Sequence, residues 1–136
     1  MKIKLLIVLS VIALSLSSVS SCKKNGVSPN SAVQVDYTKN GQTIALAKGQ
    51  SLKLTLNNPA DGGYAFDPPQ FNPQVLTLVS HSHSNPGTNA PVGFAGTDTW
   101  EFKALAAGES TLMVTATRSF DKSNPATIFS GKVTAN

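Results

Sequence analysis

The chain has 136 residues, of which 40% are hydrophobic and 13% charged, with a formal net charge of +4 and one cysteine. This length suits one domain with its own apolar core. A single cysteine cannot form an internal disulfide, so the core must be held by packing of apolar side chains. No cluster of Lys and Arg interleaved with aromatic residues follows residue 24, which argues against a nucleic-acid partner.

Residues 1–21 have the pattern of an export signal. Lys2 and Lys4 precede a nearly uninterrupted apolar run over residues 5–16, which is too short to span a bilayer. Two of the 11 basic residues fall in this segment, which leaves nine basic and seven acidic residues in the rest of the chain. The exported part therefore carries a net charge of only +2.

The only cysteine, Cys22, directly follows the small residues Val19, Ser20 and Ser21. This junction resembles the lipobox of bacterial lipoproteins. The resemblance implies cleavage before Cys22 and its lipidation, so that the protein is exported and anchored to the bacterial cell envelope, on the periplasmic or cell-surface side. An ordinary signal peptide with an incidental cysteine is the alternative. Residues 22–32 are mostly polar or small, which predicts a flexible tether.

From residue 33 onward, short runs alternate between apolar and polar residues and are separated by Gly, Pro, Asn and Asp. A period of two predicts β-strands with one buried and one solvated face. One domain over residues 33–136 with this pattern is predicted to be all-β, an immunoglobulin-like antiparallel β-sandwich of about seven strands. The predicted strands are 33–37, 43–47, 51–57, 75–83, 97–103, 110–117 and 127–134.

The same alternation predicts which side chains face the core. Trp100 and Phe102 share one face of their strand, while Glu101 and Lys103 share the other. Residues 65–74 contain three prolines and two phenylalanines, which favours an extended path along the sandwich edge with Phe66 in the core. The full set predicted to face inward on the strands is Leu52, Leu54, Leu56, Trp100, Phe102, Leu112, Val114, Ala116, Phe129, Gly131 and Val133.

The first candidate binding segment, residues 58–64 (loop 1), follows the leucine-rich third strand. Pro59 ends that strand because it has no backbone N–H, and Asn58 can bond to its own backbone in a turn. Gly62 and Gly63 permit positive φ angles, so the loop can present its backbone closely to a partner. An ordinary turn uses the same residue types. Loop 1 consists of Asn58, Pro59, Ala60, Asp61, Gly62, Gly63 and Tyr64.

His81 and His83 lie two residues apart on a predicted strand and therefore share a face, which is one way to begin a metal site. No cysteine or acidic cluster near them in the sequence completes such a site, so we predict solvent-facing residues and no bound metal. Ser82 and Ser84 lie in no Gly-x-Ser-x-Gly elbow. The sequence therefore predicts neither an enzyme nor a cofactor.

Two further candidate segments lie between strands. Loop 2 consists of Gly93, Phe94, Ala95 and Gly96, and loop 3 of Arg118, Ser119 and Phe120. Alternate connections of a β-sandwich emerge at the same end, so loops 1, 2 and 3 are predicted to form one continuous edge. Phe94 either contacts a partner at this edge or covers the core.

The three loops resemble those of the chagasin-like inhibitors of papain-type cysteine peptidases, inhibitor family I42, which carry NPTTGY-like, GxGG-like and RPW-like loops. The stretch GFAGTDTWEFKA also resembles the family pattern in which the second loop precedes an aromatic-x-Phe-Lys-Ala strand. The resemblance implies a papain-like cysteine peptidase as the partner. It also implies that loop 1 enters the active-site cleft while loops 2 and 3 grip its flanks, without any cofactor.

All three loops depart from the family pattern. Ala95 stands where the family has glycine, Ser119 where it has proline and Phe120 where it has tryptophan. Loop 1 is one residue longer and has Ala60 and Asp61 where the family has threonines. The charge of Asp61 is expected to repel the thiolate of a peptidase unless it meets the paired imidazolium or a backbone donor. These departures predict weaker binding.

A second function is compatible with the same residues. The stretch ALAAGESTLMVTA resembles bacterial immunoglobulin-like repeats, which implies a non-inhibitory adhesion or structural module of a surface lipoprotein. The two functions differ at the loops. An inhibitor is expected to lose binding when residues 59–63 are replaced by a neutral turn, whereas a structural module is expected to be indifferent.

Overall fold

The computed structural model describes residues 31–136 and, at Asp61, the backbone alone. The predicted signal segment 1–21, the predicted lipidation site Cys22 and most of the predicted tether 22–32 lie outside the described residues. Within residues 31–136, no helix has the length and apolar character needed to cross a membrane.

The described residues form two four-stranded β-sheets that face each other, so the predicted all-β sandwich is confirmed. The strands are β1 Val33–Val35, β2 Thr43–Leu46, β3 Ser51–Asn57, β4 Tyr64–Phe66, β5 Leu76–Ser84, β6 Thr97–Ala104, β7 Gly108–Arg118 and β8 Asp121–Ala135. The first sheet has the strand order β1-β3-β6-β5 and the second β2-β8-β7-β4. Short 3-10 turns occupy Tyr37–Lys39 and Asp61–Gly63.

The observed strands differ from the predicted ones in three respects. An eighth strand, β4, pairs with β7 over three residues and ends before Pro68 and Pro69, which cannot donate to a ladder. Strand β8 begins at Asp121, because it continues as one arm of a long hairpin with β7. The pairs β1–β3 and β2–β8 are parallel. For the first pair, this follows because β2, which separates β1 from β3 along the chain, belongs to the opposite sheet.

The core lies between the sheets, and every side chain predicted to face inward on the strands is buried there. Trp100 and Phe102 are essentially inaccessible, and Phe66 packs edge-to-face on Trp100 with ring centroids 4.9 Å apart. Burying a large apolar side chain contributes roughly 1.5–3 kcal/mol. The core therefore provides most of the free energy that opposes chain entropy in this domain.

The strand order sets the direction of the loops. The connections β3–β4, β5–β6 and β7–β8 all emerge at the end of the sandwich where β6 begins, because Asn57 and Ser84 both pair with Thr97. The connection β3–β4 passes from the first sheet to the second, whereas the other two stay within one sheet. The same end of the sandwich thus carries loops 1, 2 and 3.

Candidate functional site

Loops 1, 2 and 3 lie side by side and form a single edge, which is the candidate site and is named the interaction edge below. Loop 1 occupies the middle, because it crosses between the two sheets. On one side, the backbone N–H of Asn58 donates to the carbonyl oxygen of Gly96 in loop 2 at 2.9 Å. On the other side, Tyr64 pairs with Arg118 of loop 3 in the antiparallel ladder of β4 and β7. The predicted placement of the three loops at one end is therefore observed.

Loop 1 is shaped by its first residue and its two glycines. The side-chain oxygen of Asn58 accepts from the Ala60 N–H at 2.9 Å, which is the expected turn after a strand end. Gly63 donates to the Ala60 carbonyl at 3.2 Å, and Gly62 and Gly63 have φ angles of 77° and 78°. This glycine pair accommodates the extra residue of the loop, because residues with a Cβ rarely adopt such angles. The predicted effect of the Asp61 charge stays a prediction.

Loop 2 depends on glycine at both ends. Gly93 and Gly96 have φ angles of 86° and 90°. A Cβ on Gly96 would overlap the carbonyl oxygen of Ser84, so no larger residue fits there without moving β5. Ala95 keeps an ordinary φ, and its methyl group therefore costs the backbone nothing. Phe94 is half-buried and does not belong to the core cluster of the described residues, which argues against the alternative that it covers the core.

Loop 3 is the tip of the hairpin between β7 and β8. The Arg118 guanidinium carbon lies 4.6 Å from the ring centroid of Tyr64 and 5.8 Å from that of Phe120. The Phe120 side chain is 75% exposed, and a Cβ on Gly63 would lie 3.2 Å from its ring. Cation–π contacts of this kind contribute about 0.5–1 kcal/mol at exposed sites. Arg118 thus joins loop 3 to loop 1 by stacking on the two rings. Its buried Nε has no hydrogen-bond partner among the described residues.

The two histidines point toward a buried carboxylate. His81 Nε2 lies 2.7 Å from Asp98 Oδ1, and His83 Nδ1 lies 2.9 Å from Asp98 Oδ2. The Asn58 side-chain amide donates to the same Oδ2 at 2.7 Å. Both histidines are exposed strand residues, as predicted, and each is in addition bonded to Asp98, which the sequence did not indicate.

A β-bulge explains why both histidines reach Asp98. The register of β5 on β6 shifts between Leu78 and Ser80, so that His81 lies opposite Trp100 and His83 opposite Asp98. Residues directly opposite in a ladder project to the same face. Without the extra residue at the bulge, Ser82 would lie opposite Asp98, and Ser80 would lie opposite Trp100. The His81 ring also stacks on Trp100 with centroids 4.7 Å apart.

The ionisation of Asp98, which is buried, and of Asp67, which is half-buried, follows from their hydrogen bonds. Burial acts to raise the pKa of Asp98, but bonds from His83, Asn58 and His81 outweigh it and hold the pKa below the ordinary 3.8. Bonds from the hydroxyls of Thr117 and Thr115 likewise lower the pKa of Asp67. Both side chains are therefore expected to be carboxylates at neutral pH.

In the part of the chain that the structure describes, no three His, Cys, Asp or Glu side chains are grouped so that they could hold a metal ion.

A groove of about 420 Å³ lies beside loop 3 and β4. It is lined by Ala65, Phe66, Asp67, Thr117, Arg118, Ser119 and Lys122.

Sequence reasoning missed Asp98 and its link to loop 1. The signal was present in the period-two alternation of β6, since Asp98 shares a face with Trp100 and Phe102. A charged residue in a core position needs compensating partners, which directs attention to donors on neighbouring strands. The position of the bulge in β5, however, decides which donors these are, and no residue pattern marks it.

Comparison with known proteins agrees with this geometry. The sequence pattern of the chagasin family of peptidase inhibitors I42 matches residues 45–133, which is more than half of the chain. Comparison with curated proteins gives no match.

Two solved structures have a similar fold. The cysteine protease inhibitor EhICP2 from Entamoeba histolytica has a TM-score of 0.63 and 15% identity, over 77% of this chain and 96% of that one. Amebosin has a TM-score of 0.51 and 18% identity, over 79% of this chain and all of that one. With its matching sequence pattern and its two-sheet fold, this chain belongs to the chagasin family of peptidase inhibitors, I42.

Proposed function

We propose that this protein is a lipid-anchored inhibitor of papain-like cysteine peptidases that occludes the active-site cleft with loops 1, 2 and 3. One observation carries the proposal: three loops distant in sequence meet at one end of a rigid sandwich, with loop 1 between the others. Membership of a peptidase-inhibitor family supports it. The similar fold of EhICP2, which is a cysteine protease inhibitor, is consistent with the same target class.

The shape of the edge suits insertion into a cleft. Loop 1 is narrow, because Gly62 and Gly63 have no side chains, and both are exposed. It enters the cleft and blocks access to the catalytic thiol, while loops 2 and 3 contact the walls. No bond is formed or cut. Loop 1 is hydrogen-bonded to loop 2 and stacked against loop 3 before any partner arrives, so little ordering entropy is lost on binding.

Apolar side chains on the flanks supply anchors for the peptidase. Phe120 in loop 3 is 75% exposed, and Val92, directly before loop 2, is fully exposed. Aromatic residues and arginine are enriched at protein interfaces, and residues of these types often contribute most of the binding energy. Phe120 beside Arg118 is therefore the anchor that we expect to contribute most.

Lipidation of Cys22 places the inhibitor on the cell envelope. The tether of residues 22–32 spans at most about 3.3–3.6 Å per residue when extended, so the edge can work some distance from the membrane surface. Labelling of the full-length protein with a fatty-acid analogue in growing bacteria is expected to mark the wild type and not Cys22→Ser. Equal labelling of both would contradict the anchor.

Inhibition is tested by titrating papain with the purified full-length protein in detergent while hydrolysis of a fluorogenic peptide is followed. We expect reversible inhibition that competes with the substrate, and its loss when residues 59–63 are replaced by a neutral turn of equal length. The matched control is Leu105→Ala, at the opposite end of β6, which should inhibit like the wild type. Undiminished hydrolysis at micromolar protein would contradict the proposal and favour a structural module.

A further inference from the structure

Asp98 lies in a position that otherwise belongs to the core. It shares the inward face of β6 with Trp100 and Phe102, and its side chain is 5% exposed. A carboxylate at such a depth is costly unless several donors satisfy it. Asp98 has three, which are the His81 and His83 rings and the Asn58 amide. Asp98 therefore links β5, the outermost strand of the first sheet on this side, to loop 1.

Asn58 is held at three of its atoms, and each contact reaches a different part of the site. Its backbone N–H donates to Gly96 in loop 2, its side-chain oxygen accepts from Ala60 in loop 1, and its side-chain amide donates to Asp98. The Asp98 contact fixes which way the amide points. If the amide rotated, its oxygen would lose the Ala60 N–H that shapes the loop.

We infer that Asp98 is a positioning residue for the interaction edge, which fixes Asn58 and through it the backbone of loop 1 and its junction with loop 2. Asp98 itself is buried and does not touch a peptidase. The two histidines complete the arrangement by holding the carboxylate, because each bonds a different oxygen. This inference rests on the proposed function for its effect on inhibition but not for its effect on the loop.

The histidines also connect the carboxylate to loop 2. Gly96 packs so closely on β5 that a Cβ there would lie 3.2 Å from the His83 ring and would overlap the Ser84 carbonyl. Strand β5, the Asp98 carboxylate, Asn58 and both loops therefore form one continuous set of contacts. Asp67 is another carboxylate near the histidines. It shares a cavity with His81 and Trp100 but bonds to Thr115 and Thr117.

Asp67 provides the matched control for this inference. Asp98→Asn and Asp67→Asn each neutralise one carboxylate that accepts several hydrogen bonds, but only Asp98 bonds to Asn58. We expect Asp98→Asn to weaken papain inhibition about tenfold or more at a pH where the variant is fully folded. Asp67→Asn is expected to inhibit within about twofold of the wild type. Equal weakening by both variants would overturn the inference.

Amide hydrogen exchange at Ala60 tests the inference without a peptidase. The Ala60 N–H bonds to Asn58, so we expect its exchange, corrected for intrinsic rate, to accelerate about tenfold in Asp98→Asn and to be unchanged in Asp67→Asn. In the wild type, the same acceleration is expected as the pH falls through the lowered pKa of Asp98, below 3.8. Unchanged Ala60 exchange in Asp98→Asn would overturn the inference even if papain were not inhibited at all.

Asn58→Ala keeps the test decisive if Asp98→Asn does not fold. This variant leaves the Asp98 contacts with both histidines in place and removes both side-chain bonds of Asn58, to Asp98 and to the Ala60 N–H. Inhibition should weaken at least as much as in Asp98→Asn, and Ala60 exchange should be fast at every pH, with no further acceleration as the pH falls through the pKa of Asp98. The same pH-dependent acceleration in the wild type and in Asn58→Ala would overturn the inference. The double variant should be no worse than Asn58→Ala, because both changes break one link. Additive effects of the two substitutions would contradict a shared positioning role.

Discussion

The core and the interaction edge of this domain are held together by different forces. The core consists of apolar side chains that are almost wholly inaccessible, such as Leu54, Phe102 and Val114. The edge is largely exposed and depends on a few directional contacts, namely the bonds of Asn58 and the stacking of Arg118. The comparison indicates that stability and recognition are separable in this molecule. Substitutions in one region are expected to leave the other property largely intact.

Substitution in the core should have the largest effect on stability. Phe102 is fully buried and packs edge-to-face on Phe71, with centroids 5.3 Å apart. Phe102→Ala is expected to lower the free energy of unfolding by about 3–5 kcal/mol, because it leaves a cavity. Urea denaturation measures this loss. Tyr37→Ala, at an aromatic residue that is 68% exposed, should change the same quantity by no more than about 0.5 kcal/mol.

Gly96 belongs to both regions, because it ends loop 2 and packs against β5. Gly96→Ala forces an unfavourable φ, at about 1–2 kcal/mol, and pushes a methyl group into the Ser84 carbonyl, at about 1–3 kcal/mol more. We therefore expect lower stability and weaker papain inhibition together. Gly87→Ala is the control, since a Cβ at that residue would have open space within 4 Å. If Gly96→Ala unfolded at the wild-type urea concentration, the close approach described here would be wrong.

At the interaction edge, unlike in the core, a substitution is expected to weaken inhibition strongly and to change stability little. Phe120→Ala should weaken papain inhibition by about tenfold or more while the free energy of unfolding changes by no more than about 1 kcal/mol, the size of its contact with Arg118. Leu105→Ala removes an exposed apolar side chain at the opposite end of β6 and should alter neither. Inhibition by Phe120→Ala at the wild-type concentration would show that loop 3 does not anchor the partner.

The contact between loops 1 and 3 should have the smallest effect. A double-mutant cycle of Tyr64→Leu and Arg118→Leu, read by urea denaturation, is expected to give a coupling of about 0.5–1 kcal/mol, which is typical of an exposed cation–π pair. A cycle of Lys53 and Glu101, whose charged atoms lie 4.0 Å apart on the surface, should give less. Zero coupling between Tyr64 and Arg118 would mean that the loops are not joined by this stack.

Much of the fold and the location of the edge could be predicted from the sequence, because both depend on local patterns. Alternation placed Trp100 and Phe102 in the core, and the turn residues marked loop 1. The short strand β4 escaped prediction because three residues carry too little periodicity. The role of Asp98 depends on a one-residue bulge in β5, and a register shift of this kind is decided by tertiary packing.

The central claim is that one end of the sandwich blocks the peptidase, and amide hydrogen exchange of the protein with and without papain tests it most directly. We predict that papain slows exchange in residues 58–64, 93–96 and 118–120 and leaves the turn at Leu105 unchanged. Slowed exchange at the Leu105 end, with the three loops unaffected in a complex that inhibits papain, would contradict the account.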